Sequence, residues 1–250
     1  MKIGIIGFGN LGRALASGLV MSGCVGAGDL YVCENSHDTR IASEREPFHA
    51  HASEDVNFVV YNSDIIFLTV KGYVFDELSS VIDRHALSGK VFVSFMAGVS
   101  FERVFSLIGE VTLVRAMPSL AIASCDGVIG YTRAPPQVAE IFGKLGYAFE
   151  TCPDNIEKVM AFSSCGLGFA AYLIDAFASA GESMGFPPET CAHIAALTFK
   201  NAVERGNFRD TVTSVATPGG ATEQGVLLMD GAGVYDIMAN AVRRAYEKMA

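Results

Sequence analysis

The chain has 250 residues, enough for one large domain or two modest ones, each with a real core. Half of the residues are hydrophobic and the formal net charge is −9. With no basic run, this excludes an electrostatic partnership with nucleic acid or an anionic membrane surface. Six cysteines (Cys24, Cys33, Cys125, Cys152, Cys165, Cys191) show neither CxxC nor Cys/His spacing. They read as reduced core thiols of a cytoplasmic protein and predict no metal site.

In chain order, the run at 2–8 is apolar, short and broken by glycines, which predicts a strand rather than a leader. Helical spacing follows at 11–23, then a strand at 29–34 and a charged stretch. Further β-rich runs lie at 63–70, 90–96, 111–118 and 126–133, separated by the helix-like YVFDELSSVIDRHAL and SFERVFSLI. Strands apolar along their whole length and alternating with helices predict a doubly wound, mainly parallel sheet covered on both faces. After about residue 150 the patterns are helical: a glycine-interrupted helix over 156–184, one over 188–206 with a Pro-Pro start and a stop at Gly206, and a third after TPGGAT. The expected domains are residues 1–152 and 153–250. No stretch of about 20 apolar residues is free of charge, so no membrane span is predicted.

Gly7, Gly9 and Gly12 form G-F-G-N-L-G between the first strand and the first helix. A tight turn, close backbone approach to a pyrophosphate and close helix–strand packing each need one of these glycines, and the helix start offers N–H groups and a positive dipole end. The loop residues Gly7, Phe8, Gly9, Asn10, Leu11 and Gly12 are the predicted dinucleotide contacts. Glu34 lies 22 positions after Gly12, at the end of the second strand, where a carboxylate accepts from ribose hydroxyls and favours NAD over NADP; Asn35, Ser36 and Arg40 oppose this if they hold a phosphate. The strand tips Val70-Lys71, Ala97-Gly98 and Met117-Pro118-Ser119 are expected to line the nicotinamide end.

Near the C-terminus stands TPGGAT. Thr217 suits an N-cap and Pro218 a first helical turn, so that the N–H groups of Gly219 and Gly220 point toward a carboxylate. Thr222 is placed to offer its hydroxyl to a ring nitrogen and is the predicted catalytic residue. Lys200 is expected on a solvated stripe with Glu204 four residues on.

GFGNLGRAL, VKG, VSFMAGVS, VRAMPS and above all TPGGAT resemble motifs of the pyrroline-5-carboxylate reductases, over nearly the whole chain. The resemblance implies an N-terminal Rossmann domain followed by an all-α dimerisation domain, with a homodimer or a ring of dimers as the assembly. It implies NAD(P)H-dependent reduction of a small cyclic imino acid, 1-pyrroline-5-carboxylate, to L-proline. It places the substrate on Thr217, Gly219, Gly220, Ala221 and Thr222, with Ser214 just before the signature, and a cofactor asparagine near Asn57. Departures from the family pattern stand at 119–121 and 164–169. Alternatives are a reductase of another cyclic imino acid, a β-hydroxyacid dehydrogenase, disfavoured by Tyr172 where that family has lysine, and a non-catalytic dinucleotide-binding protein.

Overall fold

The structure is a computed structural model that describes residues 1–26 and 28–249. It divides into two compact units, the first comprising residues 1–164 with the C-terminal residues from Tyr246, the second Cys165–Ala245.

The first unit is built on β1 (Ile3–Ile6), α1 (Asn10–Met21), β2 (Leu30–Cys33), α2 (His37–Glu44), β3 (His51–Ser53), α3 (Val56–Asn62), β4 (Ile65–Leu68), α4 (Gly72–Ser79), β5 (Val91–Ser94), α5 (Phe101–Ile108), β6 (Thr112–Pro118), β7 (Gly127–Tyr131), α6 (Pro136–Leu145), β8 (Gly146–Glu150) and the short α7 (Ile156–Val159). One eight-stranded sheet runs in the order β3-β2-β1-β4-β5-β6-β7-β8. All pairs are parallel except β6 with β7. The short 3-10 turn at Leu120–Ser124, closed by Cys125 in the left-handed region (φ 57), brings the chain back beside β6. A parallel return would need a crossover of about ten residues or more.

Successive residues of the central strands feed opposite cores. Ile3, Ile5, Ile65, Phe67, Val91 and Val93 pack on the face covered by α1 and α6. Ile6, Ile66, Leu68 and Phe92 pack on the face covered by α3, α4 and α5. This is why the strands read as unbroken apolar runs rather than alternating ones. The edge strands β3 and β8 escape the sequence pattern because HAS is polar and GYAFE is only partly covered. Strand order reverses between β1 and β4, so the crevice that receives ligands in such sheets opens at the ends of these two strands.

The second unit holds α8 (Cys165–Ser183), α9 (Pro188–Arg205), α10 (Phe208–Val215), α11 (Ala221–Gly231) and α12 (Val234–Glu247), the last running into Tyr246 and Glu247, which belong to the first unit. A π-helical turn at Met160–Ser164 precedes α8. The helix expected over 188–206 stands as α9, stopped by Gly206 at φ 78. The helical pattern expected after TPGGAT is two helices, because Gly233 takes φ 69 between them, and α10 is an additional helix started by the Asn207 side chain. Helices α8 and α9 pair through Phe177 and Phe199, with ring centroids 5.9 Å apart, and through Gly181, where an added methyl would lie 2.9 Å from Cys191 Sγ. No residue of α8 is buried within the single chain. The expectation of no membrane-length segment needs correction: among the described residues, the helical run Pro153–Ser183 is long and apolar enough to cross a membrane by length and composition. No charge falls between Lys158 and Asp175.

The glycines of the first loop separate two demands. A methyl on Gly12 would collide with the carbonyl oxygen of Gly7, whereas one on Gly9 would meet nothing within 4 Å. Gly12→Ala is expected to destabilise the first unit by about 2 kcal/mol or more, a fall of about 4–8 °C in thermal melting. Gly9→Ala should keep stability within about 1 kcal/mol while weakening nucleotide binding, read by calorimetric titration.

Candidate functional site

The chain leaves β1 into Gly7, whose φ of 95 turns it sharply, and enters α1 with Gly9 as N-cap. Gly7 is fixed from both neighbouring strands. Its N–H donates to Cys33 O at 2.9 Å, and its carbonyl accepts from Thr69 Oγ1 at 2.6 Å. Thr69 also donates to Ile6 O at 3.0 Å and so staples β4 to the loop. Sequence reasoning passed over Thr69; its only signal is a hydroxyl at a strand end beside the fingerprint. No side chain caps the start of α1, and the space over Gly9 is open. This is a backbone cradle with the donors and clearance that a pyrophosphate requires, so the residues fit a dinucleotide. Gly9 and Asn10 are exposed at its rim and Leu11 is half-buried. Phe8 contributes no side-chain surface: it is fully buried, edge-on to Phe48 at 5.3 Å.

Glu34 closes the loop from the second strand. Oε2 accepts from the Phe8 N–H at 2.8 Å and Oε1 from the Ser36 N–H at 2.9 Å. Ser36 caps α2 through Thr39 N. Arg40 reaches back from α2, donating to Glu34 O at 3.1 Å and pairing with Glu54 Oε1 at 2.8 Å. Burial, reinforced by the carboxylates of Glu34 and Asp55, pushes the neighbouring Cys33 thiol up to about 12. Of the six cysteines Cys33 and Cys191 are buried, and all six are unbridged. Cys152 is exposed, so the expectation of six core thiols fails there. The Asn57 carboxamide is spent inside the fold: Nδ2 donates to Val81 O at 2.8 Å and Oδ1 accepts from Asp83 N at 2.7 Å. It ties α3 to the segment after α4.

The strand tips differ among themselves. Val70 is half-buried against Gly7, and Lys71 is exposed as the residue before α4. Ala97 and Gly98 are exposed after β5, with Gly98 at φ 68 and its N–H donating to Glu157 Oε1 at 3.2 Å. That carboxylate also pairs with the buried Arg115 of β6. Met117 and Pro118 are not an open tip. They are buried, paired with Gly130 and Ile129 of β7, and Pro118 O accepts from Ser164 Oγ at 2.9 Å. Ser119 is likewise used, its hydroxyl accepting from Val128 N at 3.0 Å. A hollow of about 720 Å³ lies elsewhere, against β8 between Tyr147, Phe149 and Phe162.

In the helical unit, TPGGAT is a turn followed by a helix, not a helix that starts at Pro218. The Gly220 N–H donates to Thr217 O at 2.8 Å, and Gly219 has φ 74. Proline second and a positive-φ glycine third are the residues of a type II turn. Helix α11 then begins at Ala221 with Gly220 as N-cap. The amides of Gly219 and Gly220 are therefore occupied, Gly219 donating to Glu223 Oε2 at 2.8 Å. The N–H groups left for an anion are those of the first turn, Ala221 to Glu223. Thr222 is exposed there. Ser214 is exposed on α10 and donates to Thr211 O at 2.9 Å. Lys200 pairs with Glu204 at 3.6 Å on the solvated stripe, as expected. Among the described residues no group of three or more His, Cys, Asp or Glu could hold a metal ion.

Comparison with known proteins places these features in a family. Residues 153–250 match the family described as pyrroline-5-carboxylate reductase dimerisation, and residues 2–98 match that described as NADP oxidoreductase, coenzyme F420-dependent. The pyrroline-5-carboxylate reductase of Treponema pallidum is 30% identical, over 98% of this chain and 98% of its own. That of Aquifex aeolicus is 27% identical, over 99% and 96%. A solved structure of the Plasmodium falciparum pyrroline carboxylate reductase with NADP bound superposes with a TM-score of 0.89 at 22% identity, over 100% of this chain and 97% of its own. With 30% identity to a pyrroline-5-carboxylate reductase along nearly its whole length and a matching dimerisation segment, the chain belongs to the pyrroline-5-carboxylate reductase family.

Proposed function

We propose that this protein reduces the cyclic imine 1-pyrroline-5-carboxylate to L-proline with NAD(P)H. One observation carries the reading: a single chain joins a backbone cradle fitted to a dinucleotide with the dimerisation helices of a family named for this reaction. The bound nicotinamide supplies the hydride, and solvent the proton that completes the amine. The protein's part is binding and orientation, since an iminium carbon is already electrophilic.

The cofactor side consists of Gly7 to Gly12, with Phe8 acting through its backbone alone, together with Glu34, Val70, Lys71 and Ala97. Met117 and Pro118 shape the sheet end from beneath, and Asn57 braces α3. On the substrate side, the first-turn N–H groups of α11 receive the carboxylate, and the Thr222 hydroxyl holds the ring nitrogen. Thr217, Gly219 and Gly220 form the turn that aims this helix start, and Ser214 lies on the helix before it. We place the working boundary at 152/153, where the dimerisation match begins.

A second copy of the chain covers the apolar helices, which also accounts for the apolarity of the Pro153–Ser183 run without a membrane. Leu167, Tyr172 and Phe177 are 48%, 73% and 48% exposed in the single chain. The assembly is a homodimer, open to growth into a ring of dimers, in the cytoplasm. The dehydrogenase alternative is disfavoured because Tyr172 offers no basic group where that chemistry uses a lysine.

Absorbance at 340 nm with pyrroline-5-carboxylate and either reduced cofactor is expected to show turnover. Oxidation of a 3-hydroxy acid with no imine activity would overturn the reading. Thr222→Val should lower kcat by about tenfold to a hundredfold, the loss of one to two kcal-scale contacts, with cofactor affinity unchanged. Light scattering is expected to give at least twice the 26.5 kDa chain mass, and a monomer would contradict the proposed assembly.

A further inference from the structure

We propose that Glu34 makes this chain selective for NADH over NADPH, its backbone-anchored carboxylate accepting the adenosine ribose hydroxyls and repelling a 2′-phosphate. The inference rests on the dinucleotide reading above and names which dinucleotide. It sets this chain apart from the structural neighbour solved with NADP bound.

Three observations converge. First, the carboxylate is fixed at the mouth of the glycine loop by two charge-assisted bonds, one per oxygen, from Phe8 N at 2.8 Å and Ser36 N at 2.9 Å. Each oxygen keeps a lone pair for a sugar hydroxyl, and an ionised carboxylate has no proton to offer a phosphate. Second, Glu34 already holds the Phe8 and Ser36 N–H groups, so neither is available to a phosphate. Third, the arginine that could accommodate a 2′-phosphate is committed elsewhere. Arg40 is only 17% exposed in its side chain, pairs with Glu54 at 2.8 Å and donates to Glu34 O at 3.1 Å. The other basic group of α2, His37, lies 3.6 Å from Asp38. The neighbouring Cys33 thiol is raised chiefly by burial and further by the carboxylates of Glu34 and Asp55. A phosphate here would meet a fixed carboxylate, with the Arg40 guanidinium already paired to Glu54. Turning Glu34 away would break both backbone bonds, and recruiting Arg40 would break its pair with Glu54.

The test is equilibrium binding of NADH and of NADPH to the full chain without any imine, by calorimetry or by quenching of cofactor fluorescence. The wild-type protein is expected to bind NADH at least tenfold more tightly, about 1.4 kcal/mol. Glu34→Ser should weaken NADH and shrink the ratio tenfold or more. Glu54→Gln, a change at a surface side chain 66% exposed, should free Arg40 and raise NADPH affinity severalfold with NADH unchanged; should Glu34→Ser not fold, this variant and the wild-type ratio decide. Equal or tighter NADPH binding by the wild type, an unchanged ratio in Glu34→Ser, or unchanged NADPH affinity in Glu54→Gln overturns the inference and leaves the reductase reading intact. Binding of neither nucleotide overturns both.

Discussion

The first unit depends on how closely α1 approaches the end of β1. The helix sits so near the loop that Gly12 has no room for a side-chain carbon beside the Gly7 carbonyl. That carbonyl is in turn held by Thr69 from the neighbouring strand. Loop, helix start and two strand ends thus form one rigid corner, tied by hydrogen bonds and by the absence of atoms. A backbone cradle needs this rigidity, because its donors have no side-chain freedom with which to find a ligand.

Around that corner the chain spends charge sparingly. Arg115 is buried with Glu157, and the shared carboxylate also takes the Gly98 amide. One ion pair therefore connects β6, α7 and the turn after β5. Such a pair gives little net stability, but losing one member leaves a costly buried charge, so the three elements are locked together. At the other side of the cradle, Glu34 performs a comparable task with backbone amides alone. Both carboxylates hold backbone N–H groups in place.

The central strands and α1 were legible in the sequence because burial on both faces leaves only apolar residues, and Gly7 and Gly12 fall where no side chain fits. Strands β3 and β8 were not, since their pairing is supplied by a neighbour's open ladder and not by their own side chains. The helix after TPGGAT was legible, whereas TPGGAT itself is a turn. Thr-Pro suits a helix start and a turn equally well, and only the positive φ of Gly219 decides between them. Glu34 is singled out by its spacing alone, yet its grip on the Phe8 amide arises from tertiary approach that no spacing encodes. Met117 and Pro118 looked like a free strand end because the reversal at Cys125, in a left-handed conformation unusual for a residue other than glycine, left no mark in the pattern. Asn57 matched a family position while its carboxamide serves the fold.

The helical unit has a different thermodynamic character. No residue of helix α8 is fully buried within its own chain, and in α9 only Cys191 and Ala195 are. Hydrophobic stabilisation that arises only on association enters the folding equilibrium as mass action. The melting temperature of this half is therefore a function of how much protein is in the tube, and dilution acts on it as a denaturant.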